Sequence, residues 1–146
     1  MRTLLVVIIF AMLGVRAHAD TTNRALQVSP VPGMFVGGVG LFCEAADASL
    51  DSRQYFLLTK SRARFGLADF SRDDDVNYSI FEVEKSPDIY RMANEALEIS
   101  VNRKTLAATI DGMGAKTNFT CEAMSITNLH NAAKLELQKL LRGNRI

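Results

Sequence analysis

Past its first nineteen residues, this 146-residue chain holds one histidine, His130, and two cysteines, Cys43 and Cys121. That inventory limits the chemistry. A metal centre built from several histidines cannot be assembled. A Ser-His-Asp relay would have to run through His130, and no serine sits in a G-x-S-x-G setting. A helical pattern surrounds His130, which reads as a surface position. The cysteines lack C-x-x-C spacing, so dithiol redox exchange has no support.

The carboxylates are no more specific. Asp73, Asp74 and Asp75 are consecutive, whereas a calcium loop alternates its ligands and closes on glutamate; a solvated loop is the simpler reading. Glu82 and Glu84 share a strand face and could do acid–base work in a hydrolase, although a wet outer sheet face explains them equally. Gly33, Gly37, Gly38 and Gly40 are followed by neither Lys-Ser/Thr nor a helix. They read as sites of bending or close strand approach, not as a phosphate loop. Lys60, Arg62 and Arg64, with Arg53 and Arg72 nearby, form a candidate binding patch for a carboxylate or phosphate group. The alternative is a hairpin tip kept soluble by its charges. No catalytic residue, metal ligand or cofactor is assigned. Asn77-Tyr78-Ser79 and Asn118-Phe119-Thr120 match glycosylation sequons, which matter only in a eukaryotic source.

The N-terminus has the three parts of an export signal. Arg2 supplies the charge, 4–15 is apolar, and Ala17-His18-Ala19 offers small residues at the two positions a peptidase reads. Cleavage after Ala19 is expected. The apolar run falls short of the roughly 20 residues a membrane span needs, and no later segment is apolar enough. A periplasmic or secreted location follows, with no membrane insertion after cleavage. Losing Arg2 and Arg16 moves the net charge from +1 to −1, so no overall field favours nucleic acid or anionic membrane. In an oxidising compartment, Cys43 and Cys121 are expected to form a disulfide.

The elements that must position these residues are mostly strands. The segment 20–35 is a flexible lead-in ending in Pro30, Pro32 and Gly33. An antiparallel β-domain spans 36–125, and 126–146 is an amphipathic helix and tail. Alternation is clearest at 96–102, where Leu97, Ile99 and Val101 face in. The partners 105–110 and 117–124 follow, joined by the Asp111-Gly112 turn. Phe119, Cys121 and Ala123 should face in. Earlier strands are expected at 39–45, 55–59, 64–70 and 78–85, with 89–92 either strand or helical turn. Thr127 is the expected cap of a helix over 128–142. Its apolar stripe is Leu129, Ala133, Leu137, Leu140 and Leu141.

Both cysteines sit on inward faces, one on the first strand and one on the last. A disulfide needs Cα atoms within roughly 7 Å, so those strands must meet. That predicts a small antiparallel β-barrel or β-sandwich, with the helix over an open end or edge. A patterned β-domain without a catalytic constellation points to a non-enzymatic, protein-binding or inhibitor-like module with a partner in the cell envelope. The rival is a barrel holding a small apolar ligand among Phe42, Phe56, Phe65, Phe81 and Phe119.

Overall fold

The computed structural model describes residues 31–46, 52–71 and 75–143. The expected export signal at 1–19, most of the expected lead-in, and Arg72, Asp73 and Asp74 lie outside them.

Nine strands are described: β1 Val39–Ala45, β2 Arg53–Leu58, β3 Arg64–Asp69, β4 Asn77–Glu82, β5 Glu84–Lys85, β6 Ile89–Ala93, β7 Leu97–Asn102, β8 Ala107–Gly112 and β9 Ala115–Met124. One helix follows, α1, Ile126–Gly143. All pairs are antiparallel, in the order β4-β3-β2-β1-β9-β8-β7-β6-β5. The first and last strands pair at the centre of that order, while consecutive β4 and β5 lie at its two ends. The sheet therefore curls into a nearly closed barrel. The alternative of a two-sheet sandwich is excluded.

Cys43 and Cys121 stand directly opposite each other on β1 and β9 and form the disulfide, with Cα atoms 4.0 Å apart. Both point into the barrel. With them are Leu41, Phe56, Phe65, Phe81, Met92, Ile99, Val101 and Phe119, all buried. The Phe56 and Phe65 rings pack at 4.7 Å between centroids. These side chains occupy the barrel interior, as side chains do in a narrow barrel. Phe42, expected inside, alternates outward and packs against the Tyr55 ring. Ala123, also expected inside, is exposed.

The helix corrects a second expectation. It covers neither an end nor an edge but lies on the outer face of β1 and β2. A second core forms there from Tyr55, Leu57, Ile126, Leu129, Ala133 and Leu137, with Phe35 and Val76. Each large side chain buried this way contributes roughly 1.5–3 kcal/mol of transfer free energy. Two glycines make the approach close enough. A Cβ on Gly40 would come within 2.6 Å of Leu129 Cβ, and one on Gly66 within 2.8 Å of the Phe35 ring. Ser125, not Thr127, starts the helix: its hydroxyl accepts from the Asn128 N–H at 3.2 Å, as a capping residue should. The earlier start brings Ile126 and His130 onto the buried stripe. Leu140 is left exposed.

Candidate binding cleft at the barrel seam

The segment expected as one strand over 78–85 is split at Val83, and this split builds the most developed surface feature near the basic hairpin. As far as Glu82 the chain pairs with β3, in the register Arg64↔Glu82. Val83 N–H still reaches back, donating to the Ala63 carbonyl at 3.0 Å. From Glu84 onward the chain pairs with β6 instead, as Glu84↔Arg91 and Lys85↔Tyr90. One stretch of chain thus closes the wall by serving its two neighbours in turn. Extending the second register by two residues would set Glu82 opposite Ala93, but the two do not pair. A cleft of about 410 Å³ opens between them, lined by Glu82, Val83, Glu84, Arg91 and Ala93.

Beyond Ala93 the β6 chain turns away. Asn94 Oδ1 accepts from the Ala96 and Leu97 N–H groups at 2.9 and 2.8 Å, and Asn94 N–H donates to the Leu97 carbonyl. The seam side of β4 before Glu82 is consequently without a ladder partner among the described residues. Ser79 and Ile80 on this stretch are exposed. β6 is a strand here, which settles the choice left open at 89–92.

The candidate patch borders this cleft. The hairpin tip is organised by Thr59, whose Oγ1 accepts from the Ala63 and Arg64 N–H groups at 3.2 and 3.1 Å. Arg62 has a φ of 60°, a left-handed conformation that non-glycine residues adopt infrequently. Its guanidinium folds back to donate to the Thr59 carbonyl at 3.0 Å. Arg64 pairs with Glu82 at 3.7 Å, and Lys85 Nζ donates to the Ser61 carbonyl. Lys60 is exposed beside Gly37. Arg53 does not join them. At the other end of β2 it pairs with Glu44 and Glu136 at 3.5 and 3.7 Å.

Glu82 and Glu84 line one cleft, but each has a basic neighbour. Glu82 faces Arg64 and Glu84 faces Arg91. Arg91 in turn holds Glu98 through two hydrogen bonds of 3.1 and 2.9 Å, which depress the Glu98 carboxyl below its ordinary range. Such charge matching on an open surface suits recognition better than a carboxyl held protonated for general acid work.

His130 departs most from its sequence reading. It is 2% exposed, under the helix, with Nδ1 hydrogen-bonded to the Tyr78 hydroxyl at 2.8 Å. No substrate reaches a ring enclosed this way, and the contact pins α1 to β4. Burial, and then the nearby Asp75 carboxylate, raises the Tyr78 hydroxyl above the ordinary phenol range. Tyr55, on the same outer face, is pushed up to about 12 by burial and then by Glu136. Ionising either phenol is therefore disfavoured in the folded state. A folded-state pKa above the unfolded one gives stability that is complete below the ordinary value of 10.0 and is lost as pH rises through the folded value. Urea midpoints should therefore fall between pH 10 and about 12. The Tyr55→Phe variant should lose part of that slope. An unchanged slope would remove Tyr55 from this account.

Among the described residues, no group of three or more His, Cys, Asp or Glu side chains is placed to hold a metal ion, and no helix is long and apolar enough to cross a membrane. Comparison with family models, curated proteins and solved structures found no match.

Proposed function

We propose that this chain is an exported, non-enzymatic binding module that holds an extended segment of a partner protein at the barrel seam. The open side of β4 beside the Glu82–Ala93 cleft carries the reading. An exposed strand edge offers backbone N–H and C=O groups to an incoming strand, and flanking pockets choose its side chains. Paired arginines and glutamates around the cleft supply polar selectivity. The filled interior favours this surface over an apolar ligand held inside. The disulfide and the N-terminal pattern support a periplasmic or secreted setting for such a module.

The test is site-specific photocrosslinking in the exporting host. A photoreactive residue replacing Ile80 should give one reproducible protein adduct, competed away by excess unmodified chain. The same residue at Met113, fully exposed on the β8–β9 hairpin at the opposite end, should not. Equal labelling from both positions, or none from position 80, would refute the seam as the binding site.

A further inference from the structure

The barrel's two ends differ in charge. At one end lie the β2–β3 hairpin, the β5–β6 turn and the β7–β8 turn. Together they carry Lys60, Arg62, Arg64, Lys85, Arg103 and Lys104, against only Glu82, Glu84 and Asp88. Among the described residues of the opposite rim, Glu44, Asp69, Asp75, Glu95 and Asp111 outnumber Arg53, which pairs with Glu44, and Lys116.

The basic end is one continuous rim, joined by its own contacts. Lys85 Nζ donates to the Ser61 carbonyl, Arg103 donates to the Ser86 carbonyl at 2.9 Å, and Lys104 pairs with Asp88 at 2.6 Å. Arg103 also lies over the Tyr90 ring at 4.7 Å. Next to this rim, the turn Gly33–Phe35 points Phe35 into the outer core. Its neighbours Met34 and Val36 are left 52% and 71% exposed. Val36 adjoins Gly37, whose added Cβ would sit 3.7 Å from the Lys60 side chain. Ile89, 41% exposed, opens β6 at the same end.

We infer that this end docks on an anionic bilayer surface, with Met34 and Val36 entering the headgroup layer and the basic rim facing the lipid charges. Two features select a bilayer over an acidic protein. The apolar side chains of Met34 and Val36 stand exposed at a tight turn, and an interface layer accepts such tips without shape matching. The basic groups spread around the rim instead of converging on one point, which suits a diffuse negative surface. The acidic opposite end orients the molecule as it approaches. The residues that carry this inference, Met34, Val36, Lys60 and Arg62, do not line the seam cleft.

The chain contains no tryptophan, so Val36→Trp is a clean reporter in processed protein recovered after export. Emission should shift to shorter wavelength with phosphatidylcholine vesicles containing a quarter phosphatidylglycerol at low salt. It should stay unchanged with pure phosphatidylcholine. The Met113→Trp reporter should stay unchanged with both. Adding Lys60→Glu and Arg62→Glu to the Val36→Trp chain should weaken vesicle binding at least about tenfold, with far-ultraviolet circular dichroism unaltered. A soluble phosphate monoester at equal concentration should produce no shift. Three results would each overturn the inference: no shift on anionic vesicles, a shift equally produced by the monoester, or charge reversal without effect in a folded variant.

Discussion

Replacing both cysteines, as Cys43→Ala with Cys121→Ala, should remove about 4.5 kcal/mol of stability on the chain-entropy account of a cross-link, given a sequence separation of 78. A domain of this size has roughly 5–15 kcal/mol in total, so the variant should be marginal at growth temperature. The cost is this large because of where the bond sits. β1 and β9 are the central pairing that joins the two halves of the sheet, from Gly40↔Met124 to Ala45↔Phe119. Without the cross-link, that register must be found across the longest loop in the β-domain, and the loss of chain freedom grows with loop length. Urea unfolding of the two chains at one pH, with parallel runs of the parent in reductant, measures the difference. A loss below about 1 kcal/mol would mean that the ladder alone holds the two halves together.

Phe56→Ala should cost about 3–5 kcal/mol, the range for emptying a packed aromatic site. Phe56 is fully buried, and its ring heads an aromatic row that runs through Phe65 on β3 to Phe81 on β4, with centroids 4.7 and 6.3 Å apart. The strands cannot collapse into the void without breaking their ladders. The deletion should therefore lower the urea midpoint while the denaturant slope stays constant. The exposed Leu135→Ala is the control and should stay within about 0.5 kcal/mol. Equal effects at the two positions would disprove a filled, rigid interior.

The barrel was readable because alternation is strong where the wall has one wet face. Leu97, Ile99 and Val101 point in, and their neighbours point out. The cysteine pair then joined the first strand to the last. What misled was β1 and β2, where alternation gives way to the continuous apolar runs Leu41-Phe42-Cys43 and Tyr55-Phe56-Leu57-Leu58. Such runs mark strands buried on both faces. They are the signal that α1 packs on that outer surface, and that Phe42 lies beneath it. His130 was misplaced for a related reason. With Thr127 taken as cap, the stripe seemed to start at Leu129, and a polar ring was not counted on it. The seam had no local signal. Residues 78–85 are uniformly strand-like, and the change of partner at Val83 follows from how far β3 and β6 extend on either side. The charge asymmetry was hidden too, since a net charge near zero averages two opposed ends.

The linkage between Cys43 and Cys121 makes the wall from β1 to β9 a covalent ring, with both chain termini outside it. A single proteolytic nick in any turn between those residues would open the chain without releasing a fragment. Each half would stay tethered to the other at the centre of the sheet. Such a molecule would migrate as intact on a non-reducing gel and as two pieces after reduction. In the exported setting proposed above, where thiols are scarce, the barrel could thus be cut and still keep its parts in place.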